Sequence, residues 1–249
     1  MDKPRPASNT PMNYAAINAK LKAMSARLLK PQDYEAISQM DTAEDVIAWL
    51  GAPPEHKHIN DAATRICRYI PDKTQKDYVR AMAAPSGEGS FQYYIAQWKR
   101  LGHLDKSNRI ALRDALGAEI DLNNILWMYR LKRYHRIKGN ETYGYLVPIR
   151  YRLSHEATQR MADCPTPKAL LDEVAYGPYK TDIVISQAQA FNNGPYTGQS
   201  TPEQALAKAI QKRYETAARR YPNTLATALA YLYKKKLEMQ WLLGAIQGR

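Results

Sequence analysis

The stretch IDLNNILWMYRL, Ile120 to Leu131, decides the fold. Ile120, Leu122, Ile125, Leu126, Trp127, Met128 and Leu131 cover nearly the whole circumference of a 3.6-residue helix. A helix that is apolar all round is a buried one, so this stretch predicts the centre of a helical core. Asp121, Asn123 and Asn124 are the polar exceptions. A buried carboxylate costs several kcal/mol unless it is paired, so Asp121 is expected to hold an Arg, Lys or amide side chain. With no second acid or base at helical spacing, the three residues are read as a structural polar core, not as catalytic groups.

Helix signals recur almost everywhere along the chain. Upstream, Asp105 to about Lys138 predicts one long helix, or two joined at Gly117, and Phe91 to Leu101 predicts another that ends at Gly102. Tyr14, Ile17, Leu21, Met24 and Leu28 form an apolar stripe. Pro31 suits a first helical turn, and Thr42 with Asp45 caps a helix that runs to Leu50 and is stopped by Gly51. Pro71 divides a helical stretch from Asp61 to Ala84, followed by the loop SGEGS at 86–90. Downstream, 139–151 looks like a connector. Beyond it come helices near Ser154 to Ala162, Pro167 to Val174 and Asp182 to Phe191, a loop at 192–199, and two long helices, the second with Pro222 at its start. No alternating apolar run is bounded by turns, so the expected class is all-α.

The expected organisation is a loose arm at 1–11, a first helical lobe or lobes at 12–139 and a second lobe at 140–249, packed as one subunit. An echo suggests internal pseudo-repeats. Leu112, Leu116, Ile120, Asp121, Ile125 and Leu126 match Leu229, Tyr233, Leu237, Glu238, Leu242 and Leu243 at a shift of 117. Arg27-Leu28, Met40 and Val46-Ile47 are echoed by Arg152-Leu153, Met161 and Leu170-Leu171.

With 45% hydrophobic residues in 249, the chain can bury a real core, which excludes a wholly disordered protein. Two cysteines cannot make a disulfide framework, which favours a reducing compartment. The longest nearly apolar run, Leu225 to Tyr233, is too short to span a bilayer. Eighteen Tyr against two Phe suggests helix seams touched by water.

The chain carries few chemical motifs. No phosphate loop occurs, and GEG at 87–89 lies in a loop without the strand-to-helix context of a dinucleotide site, so direct nucleotide binding and cofactors are not expected. His56 and His58 lack further metal ligands, Cys67 suits a core better than a nucleophile, and no GxSxG is present. Two basic clusters stand out. Arg130, Lys132, Arg133 and Arg136 lie in YRLKRYHRIK at 129–138, and Lys234, Lys235 and Lys236 form a triplet. Each is either a solvated face or a contact surface for phosphates or acidic protein.

Four segments resemble, in order, those of one family. They are YAAINAKLKAMSARLL at 14–29, AEIDLNNILWMYRLKRY at 118–134, LVPIRYRLS at 146–154 and NTLATALAYLYKKKLEMQWLLGAIQGR at 223–249. The chain is similar to the subunit of V-type and archaeal-type rotary ATPases called C in prokaryotes and d in eukaryotes. The resemblance implies a funnel-like, all-helical subunit of three similar lobes, of which two have echoes here. It implies no active site, with partners in the central-stalk subunits and the membrane rotor ring, so that ATP turnover elsewhere is coupled to proton or sodium transport. It further implies a place in the cytoplasm at the membrane face, peripheral to the bilayer. The net charge of +12 suits a position near anionic headgroups. The alternative is a basic helical nucleic-acid-binding module built on the two Lys/Arg clusters, which requires those charges to share one continuous face.

Overall fold

A computed structural model describes residues 14–52, 54, 57–84, 91–135, 137, 139–181 and 202–248. Among these residues there are eleven α-helices and no strand, so the chain is all-α. The first five are α1 (Tyr14–Ser25), α2 (Pro31–Ser38), α3 (Ala43–Leu50), α4 (Lys57–Cys67) and α5 (Lys73–Ala83). Next come α6 (Phe91–Gly102), α7 (Lys106–Arg130), α8 (His155–Asp163) and α9 (Pro167–Ala175). The last are α10 (Pro202–Arg220) and α11 (Ala226–Gln247). The predicted arm, the SGEGS loop, the helix at 182–191 and the loop at 192–199 lie outside the described residues.

Local chemistry sets most of the boundaries. Thr42 Oγ1 accepts the N–H of Asp45 and donates to its carboxylate, which starts α3, and Gly51 ends it at φ 72°, a left-handed position that favours glycine. Asp72, Asp105, Ser154 and Thr166 cap α5, α7, α8 and α9 in the same way, each accepting the amide three residues on. Pro31 and Pro167 occupy first turns, where a missing N–H costs nothing.

The long helices α7, α10 and α11 pack together, and α11 also lies against α1, α3, α4 and α5. Tyr34 of α2 meets Trp241 of α11 edge to face at 4.6 Å. Helices α6, α8 and α9 cover other sides of α7. From Ala115 to Leu122 every residue of α7 is buried, as its all-round apolar pattern requires.

Two local readings change. Gly117 does not divide α7: a Cβ there would sit 2.3 Å from Cγ of Tyr151, so glycine is present to admit an aromatic ring against the helix backbone. Pro222 lies in the turn before α11, which begins at Ala226. Beyond Arg130 the chain continues as one π turn, Leu131–His135, and the connector holds a 3₁₀ segment, Gly139–Tyr145.

Candidate functional site

The polar residues of α7 divide between two faces. Asp121 and Asn124, three apart, look toward the non-helical strap at 146–153, whereas Glu119 and Asn123, four apart, look toward α6 and α10. Asn124 donates Nδ2–H to the carbonyl of Val147 at 3.0 Å and accepts the Val147 N–H at 2.8 Å. Asp121, 1% exposed, accepts three consecutive amides, from Tyr151 at 3.1 Å, Arg152 at 2.7 Å and Leu153 at 3.1 Å. The hydroxyl of Tyr179 completes its shell at 2.7 Å. The partners of Asp121 are thus backbone N–H groups and a phenol, where the sequence predicts a cation or amide side chain. A strap outside any helix has amides with no ladder to join, and a carboxylate satisfies several at once.

On the other face the buried carboxylate is Glu119, which sequence reasoning passed over. It accepts the Tyr214 hydroxyl at 2.5 Å and the Tyr94 hydroxyl at 3.4 Å, while Asn123 donates to Tyr94 Oη at 3.0 Å. The abundance of tyrosine acquires a second meaning here. Tyr179 and Tyr214 are fully buried, and each delivers its hydroxyl to a buried acid instead of keeping it wet.

A second tie of the Asp121 kind lies on α11. Glu238, 4% exposed, accepts the Leu29 N–H at 2.7 Å and the ammonium of Lys235. Both acids therefore hold a strap that contains an Arg-Leu pair and leads into two short helices: Arg27-Leu28 before α2 and α3, Arg152-Leu153 before α8 and α9. Between the same long helices, Asn108 Oδ1 of α7 accepts the Leu225 N–H at 2.6 Å.

The basic candidates separate. Lys132 belongs to no contact surface: it is 7% exposed, and its ammonium donates to the carbonyls of Ala162 at 2.6 Å and Cys164 at 2.7 Å, at the C-terminal end of α8. Those carbonyls have no partner within their helix and carry the negative end of its dipole, so a cation there is stabilising. Arg133 is exposed and donates to Tyr129 Oη at 2.6 Å, Arg130 lies 5.8 Å from the Trp127 ring centre, and Arg136 lies outside the described residues. The lysine triplet fans around α11. Lys234 pairs with Glu215 of α10 at 2.9 Å, Lys235 pairs with Glu238, and Lys236 acts on Glu119. Among the described residues Lys132 is buried and Lys234 and Lys235 are paired with carboxylates, so these charges are not all offered to the one continuous face that the nucleic-acid alternative requires.

What the structure does bring together is Arg130 and Lys236. Both line a groove of about 490 Å³ between α7, α10 and α11. Leu126, Trp127, Ile210 and Leu243 supply apolar wall, and Glu119 stands at its side. Burial is the main influence on Glu119 and holds its carboxyl above the ordinary 4.5, against the opposing pull of Lys236 and the two phenols. In the window above 4.5 the native chain keeps a proton that the unfolded chain has lost. Stability from this group therefore falls as pH rises through that window and returns on acidification. Denaturant unfolding from neutral pH down toward 4.5 is expected to show a gain that Glu119→Gln lacks.

Among the described residues no His, Cys, Asp and Glu cluster could hold a metal, and no helix is long and apolar enough to cross a membrane. A protein-family model, ATP synthase (C/AC39) subunit, matches residues 90–249, which hold α6 to α11 and the groove. No curated protein and no solved structure matches the chain.

Proposed function

The chain belongs to the ATP synthase (C/AC39) subunit family, and on that premise we propose that it is a non-catalytic coupling subunit of a rotary V/A-type ATPase. In this reading it seats the central stalk on the membrane rotor ring, at the cytoplasmic face of the membrane, and acts by shape and surface charge. The observation that carries the reading is the groove between α7, α10 and α11. It lies wholly within the matched segment and joins apolar wall to the cations Arg130 and Lys236. Such a surface suits the foot of a stalk helix that presents aliphatic side chains flanked by carboxylates. The two carboxylate ties, each holding a strap and a pair of short helices, support the reading of the chain as repeated lobes built on two long helices.

Purification of the chain from its host at physiological salt is expected to bring stalk and ring subunits with it. Arg130→Glu, on a half-exposed side chain at the groove, is expected to reduce the recovered stalk about tenfold or more, with the chain still folded and its melting temperature lowered only by the loss of contacts such as that with Trp127. A wild-type chain that ignores both stalk and ring while the host ATPase assembles normally overturns the proposal.

A further inference from the structure

On the opposite side of α11 from the groove lies a second, smaller cavity of about 240 Å³, lined from α1 and its C-terminal turn, α4 and α11. Lys20, Arg27, Arg65 and Lys235 reach it from these separate elements, and Asp61 is the one acid of its lining. Lys235 is paired with Glu238. Lys20, Arg27 and Arg65 have no carboxylate within ion-pair distance among the described residues. The floor is closed by Tyr231, which is 7% exposed. Burial, and after it the Glu238 carboxylate, raise the Tyr231 hydroxyl above its ordinary value, and Arg65 and Arg27 act against that rise, so both guanidinium groups lie within electrostatic reach of the same phenol.

One cation near a helix C-terminus is an ordinary dipole partner, which accounts for Arg65 in the last turn of α4 taken alone. It does not account for Lys20, Arg27 and Arg65, from α1, its C-terminal turn and α4, at one concavity whose one lining acid is Asp61, with Glu238 behind it already tied to Lys235 and Leu29. Like charges held close repel, and the arrangement is relieved by an anion that takes several at once. A tetrahedral oxyanion meets the geometry: its oxygens accept from forked guanidinium groups and from a phenol O–H, and a cavity of this volume holds it with a few waters. We propose that this cavity is a phosphate-binding site, for phosphate free in solution or carried on a lipid headgroup. It adjoins the tie between Lys235, Glu238 and Leu29, so an occupant would brace the strap that leads into α2.

The test uses the full chain with two probes, inorganic phosphate followed by calorimetry and by melting temperature, and phosphatidylcholine vesicles with or without phosphatidic acid followed by co-sedimentation. The pocket pair Arg27→Gln with Arg65→Gln is compared with Lys73→Gln with Lys106→Gln. Both pairs change exposed cations and remove the same net charge, and the second lies away from the cavity. Saturable phosphate binding that raises the melting temperature of wild type and of the control pair, weakened about tenfold or more in the pocket pair, supports the site. Binding to phosphatidic acid vesicles alone, with the same pattern among variants, supports it and assigns the phosphate to a lipid. If the pocket pair fails to fold, Lys20→Gln on the half-exposed side of α1 replaces it with the same criterion. Binding that is absent with both probes, or that both charge-removing pairs weaken alike, overturns the proposal.

Discussion

Asp121→Ala is expected to lower the unfolding free energy by about 3 to 5 kcal/mol, a large share of what holds a domain together. The carboxylate accepts three backbone amides and the Tyr179 hydroxyl, and alanine leaves all four donors facing an apolar helix. The outer two, Tyr151 and Arg152, can recover some water because they are only part-buried, whereas Leu153 and Tyr179 are buried and cannot. Asp121→Asn can keep its one oxygen at the Oδ2 position, which accepts three of the four donors, and turns its NH₂ toward the part-buried Tyr151 N–H alone, so it is expected to recover more than half of the loss. Urea unfolding of the three proteins checks this. An alanine variant of full stability that nevertheless uncouples the ATPase would give Asp121 a different job.

The second large effect is expected from Gly117→Ala, a change that ordinarily favours a helix. A Cβ at this position would meet Cγ, Cδ1 and Cδ2 of Tyr151 at 2.3, 2.7 and 2.7 Å. Cγ is the near end of the side chain, so the ring cannot swing away on a flexible stem. Its far end is held by a hydrogen bond from Tyr151 Oη to Asp114 at 3.2 Å, beside the Arg152 to Asp114 pair at 2.5 Å. Relief requires the strap to lift, which draws the Tyr151 amide from Asp121. The expected loss is about 2 to 4 kcal/mol, the cost of overpacking plus part of the tie. Tyr151→Ala removes the obstruction, so the double variant is expected to be more stable than the sum of the two single losses predicts, as a double-mutant cycle of melting curves would show. Additive losses would mean that the ring does not obstruct.

How far these features are legible in sequence depends on whether the partner is local. Thr42 and Asp45 are three residues apart and Gly51 follows the last turn, so the whole of α3 can be read without knowing what packs on it. The burial of Asp121 follows from its apolar neighbours, but its donors do not: amides are present at nearly every residue, and nothing in the strap marks 151 to 153 as those that arrive. Lys132 carried a signal that composition hid. Asp121, Ile125, Met128 and Lys132 step by four, three and four along one side of α7 and the π turn that continues it, all of them buried, which sets that lysine apart from Arg133 beside it. Glu119 had none, since its phenols lie 25 and 95 residues away. The Lys234 to Lys236 triplet is divided too: Lys235 pairs with Glu238 on its own helix, Lys234 reaches Glu215 of α10, and Lys236 lies within electrostatic reach of Glu119.

The tie from Leu29 to Glu238 spans 209 residues, and the Asn18 amide meets the Pro222 carbonyl across 204. On a ribosome the first helices emerge long before the helix that covers them. At roughly 5 to 20 residues per second, the delay between Leu29 and Glu238 is on the order of 10 to 40 s. During that interval the faces of α1, α3, α4 and α5 that will meet α11 have no native cover, and loop-closure entropy must be met before these distant contacts can form. Helix α11 therefore completes what α1, α3, α4 and α5 leave open, and a nascent chain halted before α11 would expose the apolar surface on which chaperones act.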